Sequence, residues 1–271
     1  MLSQRLATAA VGIPIIIAVT LIGGVLFAAV AVVILVIAAA EFARMLDGEV
    51  AERQLWEPSP IMLVAIIGVA GVAIGADAGF EYWTGALALS VGLAFLYTMA
   101  LSEIEESAAD WLTISGTVLY VGFLGSHLII MRDDLHDGEE WLLLAVLATW
   151  IADTVAYAAG KQFGENKMAP RISPGKTWEG TAAGFAGGLI AVPVLDIILD
   201  LPLSAVESVL LGVLLSVVAV LADLGESMLK RGAGVKDTSE LVPGHGGFLD
   251  RLDSILFTVP LVFYFAVWIV L

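Results

Sequence analysis

The chain has no cysteine, so disulfides and thiol chemistry are both excluded, and nothing in its thiol content marks a redox compartment. Three histidines, none paired at ligand spacing, leave no zinc site of the usual kind. Basic residues are scarce: 12 Lys and Arg stand against 28 Asp and Glu, for a net charge of −16, and that field excludes a nucleic-acid binder. Long polar stretches are also missing. There is no internal repeat, and no linker is long enough to separate independent soluble domains.

What fills the 271 residues is apolar: 59% are hydrophobic and only 15% charged, with a mean hydropathy of +0.96. Runs of about 20 apolar residues recur along the whole length, the signature of membrane-crossing helices. Nine spans are expected, at 6–22, 25–46, 61–78, 84–101, 111–131, 141–160, 177–198, 206–230 and 254–271. The first could pass for the apolar part of a signal peptide. Its length, the lack of a cleavage site and the second run close behind favour a retained span. Gly23-Gly24 marks the turn between the first two, and Gly184 with Gly187-Gly188 suits close helix packing. The 61–78 span, rich in Gly and Ala, is the weakest.

With the N-terminus in the cytoplasm, Arg5, Arg44, Arg53, Lys161, Lys167, Arg171, Lys176, Lys230, Arg231, Lys236 and Arg251 all fall inside. Arg132 alone falls outside. This is a strong positive-inside bias. The expected fold is therefore an all-α polytopic integral membrane protein of about nine transmembrane helices, with a polar active-site cavity on the cytoplasmic side. Residues 1–131 would carry five spans, and 132–271 a catalytic region of four, with active-site loops at 160–180 and 227–254.

Polar residues concentrate in two places. Ser227 to Asp253 reads SMLKRGAGVKDTSELVPGHGGFLDRLD, a dense run of charge between apolar segments. Each charge reaching a bilayer centre costs on the order of 2.5–3.5 kcal/mol, so such a run persists where it lines a polar site. Its Pro243-Gly244-His245-Gly246-Gly247 core allows a tight loop whose N–H groups can approach an anion. Just upstream, Asp223, Glu226, Ser227 and Lys230 share one helical face. Asp223 lies about 10 Å deeper than Lys230. A carboxylate at that depth needs a metal, a cationic partner or a water-filled cavity.

The second place is the sixth span and the loop after it. Asp153, Thr154 and Tyr157 sit on the helix, and Ser173-Pro174-Gly175-Lys176-Thr177-Trp178-Glu179-Gly180 runs into the seventh. Backbone N–H groups, two hydroxyls and an ammonium at a helix start make an anion-binding arrangement. It is not a Walker A loop, since the second glycine is missing and no strand is expected before it. Asp250 and Asp253 open the ninth span around Arg251. Asp153, Asp223, Asp250, Asp253 and Glu179 thus reach the same cytoplasmic half of the bilayer. Hard oxygen donors in that number suit Mg²⁺, one ion or two. His245, flanked by glycines, suits a phosphate better than a metal.

These residues carry a resemblance. The run from Ser227 to Asp253 is similar to the signature of the phosphatidate cytidylyltransferase (CDP-diacylglycerol synthase) family. It is met at Ser227, Lys230, Arg231, Lys236, Asp237, Pro243, His245, Gly246, Gly247, Asp250, Arg251 and Asp253. Val242 replaces a larger aliphatic residue, a change of one methylene. Asp153-Thr154-x-x-Tyr157 and Ser173-Pro174-x-Lys176-Thr177-x-Glu179-Gly180 resemble the family's second region, with Gly175 where Lys is frequent. The resemblance covers the C-terminal half; before residue 130 only the apolar spans are alike.

Membership would imply transfer of a cytidylyl group from CTP to phosphatidate, giving CDP-diacylglycerol and pyrophosphate for phospholipid synthesis. It would also imply a divalent cation, a homodimer and a multi-pass place in the cell membrane with the site facing the cytoplasm. In that frame Asp223, Asp250 and Asp253 hold Mg²⁺. Lys230, Arg231, Lys236, His245 and Arg251 neutralise phosphates, with Asp237 in the same catalytic cluster. Ser173, Lys176 and Thr177 clamp a further phosphate, and Glu179 orients Lys176 or a metal-bound water. Asp153 and Tyr157 shape the cavity or reach the nucleotide, while Ser227, Gly246 and Gly247 complete the substrate contacts. Two other classes stay open: a CTP-dependent polyprenol kinase or ether-lipid synthase, and an ion-coupled transporter using Asp153 and Asp223.

Overall fold

The computed structural model describes residues 2–47, 58–241 and 246–271, with side chains from Ala10 onward. Helices α1 (Leu2–Ile22), α2 (Gly24–Leu46), α3 (Pro60–Ala78) and α4 (Phe80–Leu101) come first. Then follow α5 (Ser107–Asp134), α6 (Gly138–Phe163), strands β1 (Lys167–Ala169) and β2 (Ser173–Thr177), α7 (Trp178–Leu199) and α8 (Ala205–Gly232). A short α9 (Leu249–Leu252) and α10 (Ile255–Phe265) complete the chain. Among the described residues, eight helical stretches are long and apolar enough to cross a membrane, α2 to α8 and the run Leu249–Val270 that contains α9 and α10, and α1 adds a shorter apolar stretch, Ala10–Ile22. The chain is an all-α, multi-pass membrane protein.

One element is new. Ser173–Thr177 is a strand, paired antiparallel with Lys167–Ala169, where the sequence suggests a loop and no strand. Pairing across the Pro170–Ile172 turn supplies partners to backbone groups that a bare loop would leave to solvent.

The chain forms two compact units: residues up to Asp134 with Ala233–Leu252, and Leu135–Gly232 with Asp253–Leu271. The segment Ala233–Leu252, grouped by sequence with the C-terminal half, therefore belongs to the first unit. There α3 packs against α2, α4 and α5. Trp83 stacks on Phe123 at 4.9 Å with His127 edge-on at 5.1 Å, and its Nε1–H donates to Ser126 Oγ at 2.8 Å. The indole thus buries its ring without stranding its donor. Gly23 and Gly24 take left-handed φ at the α1–α2 turn, as expected. Arg132, the one basic residue assigned outside, caps α1: its Nε donates to the Thr20 carbonyl at 2.6 Å. A guanidinium there satisfies carbonyls that the helix end leaves open.

In the second unit, α6 and α7 pack through small residues. A Cβ on Gly180 would meet the Ala156 carbonyl oxygen at 2.8 Å, and one on Gly184 would meet the Ala156 Cβ at 2.7 Å. Without water to drive association inside a bilayer, backbones must come this close to gain dispersion contacts. The α10 helix joins this unit by a Thr149–Thr258 hydroxyl bond of 2.9 Å. Gly184→Val should lower the unfolding midpoint of the detergent-solubilised protein, at an overpacking cost of about 1–3 kcal/mol. Differential scanning fluorimetry reads this directly, with Gly175→Val, where a Cβ meets open space, as the neutral control.

Candidate active site

The C-terminal end of α8 carries two ion pairs on the face that the i, i+3, i+4, i+7 spacing defines. Asp223 Oδ2 lies 2.6 Å from Lys176 Nζ. The Ser227 hydroxyl donates to Asp223 Oδ1 at 3.5 Å. One turn on, Lys230 Nζ lies 3.0 Å from Glu226, whose side chain is fully buried. The depth of Asp223 called for a counter-charge, a cation or water; Lys176 is that counter-charge within this unit. Its ammonium also reaches the Val220 carbonyl at 3.5 Å, which draws β2 onto α8. Arg231 is exposed and donates from Nε to the Ile172 carbonyl at 3.3 Å, tying the end of α8 to the hairpin turn.

The hairpin divides the expected phosphate clamp. Thr177 is buried and its Oγ1 accepts from Gly180 N at 3.2 Å, the N-cap of α7. Lys176 is half-buried against Asp223, and Ser173 sits at the far end of β2. Glu179 accepts from Asn166, through Nδ2 at 2.6 Å and the backbone N at 3.2 Å. Its carboxylate thus holds the approach to β1. On α6, Asp153 and Tyr157 are both exposed, one turn apart, with Lys161 Nζ 5.9 Å from the Tyr157 ring centre.

The signature segment divides between the units: Ser227, Lys230, Arg231 and Asp253 lie in the second, Lys236, Asp237, Gly246, Gly247, Asp250 and Arg251 in the first. His245 lies outside the described residues, as do Pro243 and Gly244. In the first unit Asp250 is buried, and its Oδ2 accepts from Thr238 N at 3.0 Å, Thr238 Oγ1 at 3.0 Å and Gly247 N at 2.8 Å. Lys236, Asp237 and Arg251 are exposed at the edges of this knot. In the second unit, Asp253 Oδ1 accepts from Ser254 N at 2.6 Å.

A residue that the motifs do not include completes the knot. Glu41 of α2 is fully buried. Ser239 Oγ and Phe248 N donate to its Oε1 at 2.5 and 3.1 Å; Thr238 Oγ1 and Leu249 N donate to its Oε2 at 3.2 and 2.8 Å. The available signal was plain: Glu41 is the one acidic residue in α2, and a carboxylate within a span marks a site by default.

The acidic donors are hard oxygens, suited to Mg²⁺ in kind. Among the described residues, no group of three or more His, Asp and Glu side chains is gathered closely enough to hold an ion. Mg²⁺ in nucleotide sites commonly takes only one or two carboxylates, with substrate phosphates and water completing the shell, so the donor chemistry still fits.

Residues 3–269 match the sequence pattern of the cytidylyltransferase family. The chain is 33% identical to a phosphatidate cytidylyltransferase of Synechocystis sp., over 98% of this chain and 96% of the relative. It is 35% identical to one of Pseudomonas aeruginosa, over 99% and 97%. A third, from Haemophilus influenzae, is 42% identical over 49% of this chain and 47% of its own. The likeness thus reaches across the N-terminal helices, beyond the two motif regions.

Breaking a buried ion pair strands the surviving charge. Lys230→Met should therefore cost about 3–5 kcal/mol of stability. Adding Glu226→Gln should restore most of it. Thermal melting of the single and double variants in detergent reads the pair separately from any catalytic role of Lys230.

Proposed function

This chain belongs to the cytidylyltransferase family, and on that premise we propose that it transfers the cytidylyl group of CTP to phosphatidate, giving CDP-diacylglycerol and pyrophosphate. The observation that carries the acceptor is the coverage: relatives named for this reaction align with this chain over nearly their whole length. The match therefore includes the membrane helices as well as the motifs.

The chemistry asks little of a general base. A phosphate monoester has its second pKa near about 6, so near neutrality the lipid phosphate is largely dianionic and already a nucleophile. One of its oxygens attacks the α-phosphorus of CTP as the bond from that phosphorus to the bridging α–β oxygen breaks, and pyrophosphate leaves with the electron pair. No proton need move at the reacting centre. What is required is that highly charged anions be held together in line, a matter of positioning and fixed charge. A site rich in Lys, Arg and Asp, with no Ser-His-Asp arrangement, suits that demand.

In this reading Arg231, Lys236, Arg251 and His245 neutralise phosphate oxygens, with Lys176 and Lys230 held on α8 by their carboxylate partners. Arg231 also keeps the hairpin turn at the end of α8, and Ser173 faces the same phosphates. Asp223, Asp250 and Asp253 would hold Mg²⁺. Bound there, the cation supplies charge neutralisation to the triphosphate and the departing pyrophosphate. Asp153 and Tyr157 border the space for nucleotide or lipid head group. The bias of basic residues supports a site on the cytoplasmic side of the cell membrane, where CTP is found. The homodimer implied by the resemblance belongs to the same reading.

Two measurements test it. With purified protein, phosphatidate and Mg²⁺, label from the α-phosphate of CTP should appear in lipid and label from the γ-phosphate should not; the opposite pattern would mean a lipid kinase. Asp223→Asn should lower turnover at least a hundredfold, on the order of 2.7 kcal/mol or more of transition-state stabilisation, while the variant still inserts and purifies. Near wild-type activity in that variant would remove Asp223 from the metal site.

A further inference from the structure

From the bonding of Glu41 we infer that it is a positioning residue for the signature segment: its carboxylate, reaching out of α2, sets where Lys236, Asp237 and Arg251 stand. All four of its hydrogen bonds come from residues 238–249, some 200 positions along the chain, and none from its own helix. A carboxylate buried for the sake of α2 alone would show the reverse. A buried charge is tolerated only where its acceptor capacity is filled, and this one is filled by the segment it holds.

The grip closes on both flanks of the loop. Glu41 takes Thr238 and Ser239 on one flank and Phe248 and Leu249 on the other, while Asp250 takes Thr238 and Gly247. The Thr238 hydroxyl lies within bonding distance of both carboxylates, yet its single proton serves one of them at a time. The backbone N–H groups of Thr238, Gly247, Phe248 and Leu249 are therefore the permanent ties. An independent sign comes from the motif itself. A Cβ on Gly247 would run into Glu41 Oε2 and Thr238 Oγ1. The second glycine of the Gly246-Gly247 pair is thus a glycine because the Glu41 carboxylate fills the space beside it. Lys236 and Asp237 leave this knot directly before Thr238, and Arg251 directly after Asp250, so any slack in the grip is passed to them.

The carboxylate is specifically needed. Phe248 N and Leu249 N donate to different oxygens, so both must accept. A carboxamide offers one oxygen and one NH₂, and whichever way it turns, a backbone N–H faces a donor.

The inference rests on the cytidylyl-transfer reading only for what Lys236, Asp237 and Arg251 act on; the grip is independent of it. Full-length Glu41→Gln, purified in detergent, is compared with wild type by hydrogen–deuterium exchange over residues 246–252 and by initial rates with CTP, phosphatidate and Mg²⁺. Exchange there should quicken, and KM for CTP should rise, each about tenfold, the scale of one stranded buried donor. Unchanged exchange would overturn the inference. So would a lowered Vmax that merely tracks the folded fraction at wild-type KM, the mark of a structural anchor. If Glu41→Gln does not purify folded, Ser239→Ala, which removes one donor from Oε1, should shift both readouts the same way by about threefold; no shift would overturn the inference. A wild-type protein inactive on CTP and phosphatidate would defeat the proposed reaction, and the exchange result alone would then judge the grip.

Discussion

Charge inside an apolar solvent has to be answered by charge or by hydrogen bonds, and the polar architecture of this protein follows from that demand. Glu226 is answered by Lys230 one turn away, and Asp223 by Lys176 from the hairpin. Glu41 and Asp250 are answered by backbone N–H groups and hydroxyls of one loop. The answers to Asp223 and Glu41 join segments far apart in sequence. The polar contacts therefore serve as the ties that bring a strand to a helix or a loop to a span, where apolar packing against lipid-like surroundings has little directional preference.

The same demand explains how apolar helices can carry a reaction among anions. Cations and carboxylates held in fixed pairs are already oriented, so less reorganisation is needed when anionic substrates meet. The small-residue seam between α6 and α7 serves this end indirectly. It lets Gly180 and Gly184 bring the start of α7 against α6, and so places Thr177, the hairpin and Lys176 beside α8.

The spans were legible because about 20 apolar residues in a row have one economical conformation in a bilayer, a helix that bonds its own backbone. Even the weakest, 61–78, forms α3, started by Ser59, whose Oγ accepts from Met62 N at 3.1 Å. The shared face of Asp223, Glu226, Ser227 and Lys230 was legible too, since helical spacing alone decides it. The hairpin was not, because Ser-Pro-Gly-Lys-Thr is loop-like in composition and becomes a strand only by pairing with Lys167–Ala169. Thr177 illustrates the same limit. Its hydroxyl reads as a phosphate ligand or a helix cap, and only the folded chain shows that it accepts from Gly180 N. Glu41 stood in view as a lone acid in α2, but no local pattern could name its partners.

From the sequence alone came the membrane-spanning class and the identity of the motif residues. Each depends on hydropathy, charge or spacing within a stretch of a few turns. Only the tertiary structure decided which charge answers which, that β1 and β2 pair, and that α2 holds the signature loop through one carboxylate. Most of those choices are made by contacts between residues tens to hundreds of positions apart, where the geometry of packing, and no local preference, selects the partner.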